Sequence, residues 1–148
     1  MELKRMERAD IQATVACHLT FLEEVAEPGD AAYGAALTAY MEEHLEDGSL
    51  ACYIALEGAR VVAKNTLCLY TVAPKWNNPS GRIGYIYGVY TDPAYRGRGL
   101  ATRLMEMALE AVKAWGAGEV YLNAQPVAER LYARLGFVPV VREMKLRF

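Results

Sequence analysis

The segment Asp92-Pro93-Ala94-Tyr95-Arg96-Gly97-Arg98-Gly99-Leu100-Ala101-Thr102 joins a strand-like run directly to the most regular helical stripe in the chain. On one side, Arg82 to Thr91 is rich in β-branched and aromatic residues, the composition of a strand. On the other, Leu100, Ala101, Leu104, Met105, Ala108, Leu109, Ala111, Val112 and Trp115 lie opposite Arg103, Glu106, Glu110 and Lys113, an amphipathic helix from Arg98 to Trp115. A strand that enters a helix through glycines leaves the first helical N–H groups without intrahelical partners. It also supplies the positive end of the helix dipole and lets a ligand approach the backbone closely. Such a junction belongs in an α/β fold and suits a pyrophosphate. A Rossmann fingerprint would need glycine or alanine where Thr102 stands, and the GxxxxGK[ST] pattern of a P-loop is absent.

The remaining elements follow from periodicity. Glu2 to Glu7 is a short strand candidate, and Asp10 is an N-cap for a helix carrying Ile11, Val15, Leu19, Leu22 and Val25 until Pro28 and Gly29. A second helix starts at Asp30, carries Tyr33, Leu37, Tyr40, Met41 and Leu45, and stops at Asp47-Gly48. Leu50 to Leu56 and Arg60 to Val72, separated by Glu57-Gly58, read as an antiparallel hairpin, and Pro74 to Gly81 as a loop. The strand from Arg82 to Thr91 holds Gly84 and Gly88, which weaken a strand unless a bulge or a close approach requires them. After Gly116 and Gly118 come a strand at Glu119 to Asn123, a helix at Pro126 to Leu135 capped by Gly136, and two closing strands, Phe137 to Val141 and Glu143 to Phe148. No repeat or linker divides residues 1–148, so the expectation is a single domain with a mixed, mostly antiparallel sheet and helices on both faces.

Composition narrows the function. The 148 residues carry 16 Lys and Arg against 18 Asp and Glu, a net charge of -2, so there is no basic excess to neutralise a nucleic-acid backbone. Positive charge for an anion must be local, at Arg96 and Arg98. Cys17, Cys52 and Cys68 form no CxxC pair, and His18 and His44 add no metal-ligand cluster to them, which reads as reduced core cysteines and no bound metal. The N-terminus lacks the apolar core of a signal peptide, and no apolar run nears the roughly 20 residues of a membrane span. A soluble cytoplasmic protein is expected, with neither nucleic acid nor membrane as partner.

Arg96-x-x-Gly99-x-Ala101, preceded by Val89-Tyr90-Thr91-Asp92-Pro93, resembles the [RQ]-x-x-G-x-[GA] acetyl-coenzyme A signature of the GCN5-related N-acetyltransferases. Ala128-x-x-Leu131-Tyr132-x-x-Leu135-Gly136-Phe137 resembles the A-x-x-L-Y-x-x-x-G-F segment of the same family. With the element order, the likeness runs from about Leu50 to Phe148; the first fifty residues match only by a strand and paired helices. The resemblance implies an acyl-CoA N-acyltransferase fold, in which the glycine-bearing strand is bulged and splays away from the strand ending at Asn123. The pantetheine arm would lie in the gap, paired with strand backbone.

The chemistry implied is direct acetyl transfer from acetyl-CoA to an amine in a ternary complex, without a metal. By resemblance, the backbone N–H near Val89 polarises the thioester carbonyl. Val89, Tyr90 and Thr91 line the coenzyme, and Gly97, Arg98, Gly99, Leu100, Ala101 and Thr102 hold its pyrophosphate with Arg96. Tyr132 is the acid that protonates the departing thiolate, because a phenol stays protonated at neutral pH. The family's frequent asparagine, three residues before the motif alanine, is Gln125 here, and Asn123 is the other amide able to serve. No carboxylate precedes Asp92 on the strand that offers Tyr85, Tyr87 and Tyr90, so a water relay is expected as base.

The acceptor, a small-molecule or peptide amine, is expected to enter beside the two N-terminal helices and the Pro74 to Gly81 loop, with Trp76, Tyr33 and Tyr40 as an aromatic wall. The alternative is a non-catalytic acyl-CoA-binding or regulatory module. Tyr132 favours the enzyme, and the missing strand glutamate favours the module. An exposed edge in the last strands suits pairing in a homodimer.

Overall fold

A computed structural model describes residues 1–140 and 143–148. Its elements, in chain order, are β1 (Glu2–Arg5), α1 (Ile11–Glu24), α2 (Ala31–Asp47), β2 (Leu50–Glu57), β3 (Arg60–Thr71), β4 (Arg82–Thr91), α3 (Leu100–Trp115), β5 (Glu119–Leu122) and α4 (Glu129–Arg134). The five strands form one sheet in the order β1-β2-β3-β4-β5. The first four pair antiparallel, and β5 joins β4 in parallel. The mixed, mostly antiparallel sheet is therefore present as expected.

Side chains alternate between the two faces of the sheet. One face packs Ala51, Tyr53, Ala55, Leu67 and Ile86 against Leu104, Met105, Ala108 and Val112 of α3 and Tyr132 of α4. The other packs Leu50, Cys52, Ile54, Leu56 and Tyr90 against Ile11, Val15 and Cys17 of α1 and Leu37 and Met41 of α2. The helix ends follow local chemistry. The Asp30 carboxylate accepts from the Tyr33 N–H at 2.8 Å and caps α2, which stops at Gly48 with φ +79°. Asp10 precedes α1 but does not cap it: its carboxylate accepts instead from the Glu7 N–H and pairs with Lys4.

Two elements depart from the sequence expectation. Phe137–Val140 and Glu143–Phe148 carry no strand, and Val141 at the expected strand end lies outside the described residues. Pro139 cannot donate to a ladder, and Val138, Met144, Leu146 and Phe148 are largely exposed. A strand pair with no apolar face to cover is marginal in water. In addition, only Glu129–Arg134 of the expected Pro126–Leu135 helix is α-helical, entered through a 3₁₀ turn at Pro126–Ala128.

The sheet's main irregularity lies in β4. Thr66 faces Tyr87 and Lys64 faces Tyr90, so two steps along β3 match three along β4. Gly88, at φ +56°, sits in the extra step, a left-handed conformation that glycine adopts without a Cβ penalty. Gly84 has a different reason: a Cβ there would meet Val112 Cγ2 at 2.6 Å, so its absence lets α3 approach the strand.

Candidate active site

β4 and β5 pair from Ile83–Glu119 to Ile86–Leu122 and no further. Beyond Ile86, β4 runs on through the bulge to Thr91, while the chain after Leu122 turns away towards α4. A gap therefore opens between two parallel strands, and its mouth lies beside the start of α3.

At that mouth Gly97 and Gly99 have φ +74° and +73°, and a Cβ at either would meet nothing within 4 Å. Gly99 is the N-cap of α3 and provides no side-chain cap, so the first N–H groups of a sixteen-residue helix are left without one. The preceding turn is anchored by Asp92, whose carboxylate accepts from the Ala94 N–H at 2.9 Å and pairs with Arg60. Arg96 donates from Nε to the Thr91 carbonyl at 2.9 Å and pairs with Glu24, fastening the loop to the end of α1. Arg98 donates to the Ala94 carbonyl and lies over the Tyr95 ring at 4.9 Å. Among the described residues it has no carboxylate partner, so it carries the available positive charge. An open nest of N–H groups with one uncommitted guanidinium fits a pyrophosphate.

The other expected coenzyme residues are distributed unevenly. Val89 follows the bulge glycine directly, at the edge of the gap. The side chain of Tyr90 packs the opposite way, 5.5 Å from Phe21 of α1, so only its backbone is available to the gap. Burial, reinforced by Glu24, pushes the Tyr90 phenol up to about 12. Leu100 is buried in the α3 core and contributes only backbone, whereas Ala101 and Thr102 are half-buried in the first turn. Asn123 donates from Nδ2 to Tyr85 Oη at 3.0 Å, holding the strand end across the gap. Gln125 is exposed, and its carbonyl accepts from the Ala128 N–H. Tyr132 is buried beneath the α3 face, edge-on to Phe137 at 6.0 Å, and burial raises its phenol above the ordinary value. A phenol so shifted remains a proton donor at neutral pH.

The expected aromatic wall is not assembled. Trp76 is 94% exposed in a loop tied to the starts of β4 and β5: Asn78 bonds the Arg82 carbonyl and Glu119, and Ser80 bonds the Gly116 carbonyl. Tyr33 contacts His18, while Tyr40 stacks on His44 and reaches Cys68 Sγ. Six strand steps, about 20 Å, separate Arg82 from the Gly88 bulge.

Sequence reading passed over the groups that surround the bulge on the α1 face. Lys64 is 1% exposed and donates from Nζ to the Gly88 carbonyl at 2.8 Å. Burial drives its pKa below the ordinary lysine value. His18 is 4% exposed, shares a 3.0 Å hydrogen bond between Nε2 and Tyr33 Oη, and lies edge-on to Tyr87. A lysine between Ala63 and Asn65, inside the run Val61 to Leu67, was the available signal: charge at an inward strand position is rare without a task.

Comparisons with known proteins agree with this architecture. The model for the acetyltransferase (GNAT) family matches residues 18–137. A probable glucosamine 6-phosphate N-acetyltransferase 2 from Oryza sativa subsp. japonica is 34% identical over 90 residues, 61% of this chain and 52% of the relative. A glucosamine 6-phosphate N-acetyltransferase from Trypanosoma brucei brucei is 32% identical over 75 residues, 51% of each chain. The chain thus spans about half the length of the curated relatives it matches. Among solved structures, a predicted acetyltransferase from Clostridium acetobutylicum, crystallised with acetyl-CoA, superposes with TM-score 0.90 at 24% identity, over 99% of this chain and 95% of that one. A GCN5-related N-acetyltransferase from Ralstonia eutropha JMP134 superposes with TM-score 0.80 at 26% identity, over 99% and 97%. On the extent of the family match, the chain belongs to the acetyltransferase (GNAT) family.

Proposed function

We propose that this protein is an acetyl-CoA-dependent N-acetyltransferase acting on a small-molecule amine. The observation that carries the reading is the pairing of an open, glycine-lined helix start at Gly97 and Gly99 with the gap between β4 and β5. Acetyl-CoA supplies an activated thioester acetyl group. The N–H groups from Gly97 to Thr102, with Arg98, bind its pyrophosphate, and Arg96 holds the loop against α1. The exposed edge of β4 beyond Ile86 receives the pantetheine arm, and the backbone N–H near Val89 aims at the carbonyl oxygen. Tyr132 donates the proton that the departing sulfur needs.

For the acceptor, an amino sugar phosphate is the first candidate, because the rice and trypanosome relatives carry the name of glucosamine 6-phosphate acetyltransferases. Thiol release from acetyl-CoA, measured over a panel of amines that includes glucosamine 6-phosphate, a polyamine and a peptide, tests the function. Release with at least one amine is expected. Tight acetyl-CoA binding with no release from any of them would favour a non-catalytic acyl-CoA-binding module. A homodimer is proposed as well, supported by the exposed Val138, Val140, Met144, Leu146 and Phe148 beyond the short β5; light scattering that gives a monomer mass would refute it.

A further inference from the structure

Four elements converge on the α1 side of the β4 bulge. A Cβ placed on Gly88 would stand 2.8 Å from Lys64 Nζ and 3.2 Å from His18 Nδ1, so the amine of β3 and the imidazole of α1 both close on the bulge beside Val89. Tyr33 of α2 holds the far nitrogen of the ring, Nε2, at 3.0 Å. Tyr87 of β4 and Phe21 of α1 pack against the ring from two other directions. His18 Nδ1 is buried and has no hydrogen-bond partner among the described residues. A buried polar atom left unpaired is costly, so an orphaned nitrogen directed at the bulge points to a task there.

We propose that His18 Nδ1 is the group that receives the acceptor amine: it accepts a hydrogen bond from the amine N–H and takes that proton as the amide bond forms. This rests on the N-acetyltransferase reading above. In the tautomer that donates its Nε2 proton to Tyr33 Oη, Nδ1 presents its lone pair to the bulge. As the amine nitrogen bonds to the acetyl carbon, the carbon–sulfur bond breaks and its electron pair leaves on sulfur. The nitrogen's proton moves to His18 Nδ1, and sulfur takes a proton from the Tyr132 phenol. Imidazolium and phenolate then return to neutrality by exchange with solvent.

Burial and the neighbouring Lys64 push the ring down to about 3, so the lone pair is free throughout the physiological range. So weak a base does not deprotonate an alkylammonium, and the acceptor must arrive as the neutral amine. Once its nitrogen is bonded to the acetyl carbon it becomes acidic enough to release the proton. Lys64 is a positioning residue in this scheme: it fixes the Gly88 carbonyl and, when charged, disfavours a second cation at the same place.

His18→Gln and His18→Asn separate the two ring nitrogens, because glutamine places an amide near Nε2 and asparagine near Nδ1. His18→Gln is expected to lower kcat about 100-fold with acetyl-CoA affinity unchanged by calorimetry, and His18→Asn to retain more activity than His18→Gln. The reverse order would assign His18 a structural role through Tyr33 and overturn the proposal. Because a buried substitution can unfold the domain, the wild type supplies an independent readout. In ¹⁵N-labelled protein with coenzyme A bound, saturation with an amine that the protein acetylates is expected to move the His18 Nδ1 resonance. An unmoved resonance would overturn the proposal even though turnover persists. If the wild type acetylates no amine, the underlying function fails instead.

Discussion

Lys64 Nζ donates to the Gly88 carbonyl at 2.8 Å, joining the one fully buried lysine among the described residues to the strand residue with the left-handed backbone. No carboxylate partners this amine among the described residues, so the pair is a clamp on the bulge rather than an ion pair. Lys64→Met keeps the length of the side chain and removes the donor. Desolvating a lone ammonium costs several kcal/mol, whereas an unpaired carbonyl costs about 1–3 kcal/mol. The variant should therefore melt no lower than the wild type at pH 7, yet turn over at least about 10-fold more slowly. Thermal melts and steady-state rates on the same preparation check both halves.

Stability should fall on mild acidification, and His18 should contribute to the fall. Its folded-state pKa, about 3, lies below the ordinary 6.5. Between those values the unfolded chain binds a proton that the folded chain does not, so the histidine's contribution to stability rises with pH across the window and levels off above it. Asp10, Glu24, Asp47 and Glu119, all held below their ordinary values, act in the same direction but only below about pH 4.5. Lys64, held below its ordinary value by burial, acts in the same direction from about pH 10.5 downwards, so the histidine's share between pH 6.5 and 5 is read as the difference between the wild type and His18→Leu, which keeps Lys64. The wild-type Tm should drop more across that interval than that of His18→Leu; parallel curves would contradict the assignment.

Gly84→Ala probes the close approach of helix and sheet. The new Cβ would stand 2.6 Å from Val112 Cγ2 and 3.3 Å from Leu67 Cδ1, an overpacking that costs about 1–3 kcal/mol. Combining it with Val112→Ala should recover part of the loss, a coupling that denaturant melts of the four proteins in a double-mutant cycle would show.

Much of this architecture was legible because local chemistry and tertiary packing agree. The stripe from Leu100 to Trp115, the Glu57-Gly58 hairpin and the glycines from Gly97 to Gly99 each specify one conformation, and each forms as expected. The C-terminal strands failed for a physical reason: alternation at Glu143 to Phe148 signals a two-faced strand, but a single copy offers it no surface to cover. The bulge was foreseen from Gly88, while its ring of partners was not. His18, Tyr33 and Lys64 come from α1, α2 and β3, and nothing in their spacing announces that the fold gathers them at one bulge.

Tyr132→Phe removes the phenolic proton and keeps the ring that packs edge-on against Phe137. Turnover should fall about 100-fold, with acetyl-CoA affinity and Tm almost unchanged. A weaker acetyl-CoA affinity at unchanged turnover would make the hydroxyl a binding group rather than the acid. Thiol-release kinetics beside calorimetry distinguish the two.

The central claim is that the start of α3 holds the pyrophosphate of acetyl-CoA. Isothermal calorimetry of acetyl-CoA with the wild type and with Gly99→Glu tests it most directly, because the substitution puts a carboxylate at the uncapped start of α3. Wild-type binding, with an affinity at least about 100-fold lower in a variant that circular dichroism shows to be folded, is the predicted result. Equal affinity in the two proteins would contradict it.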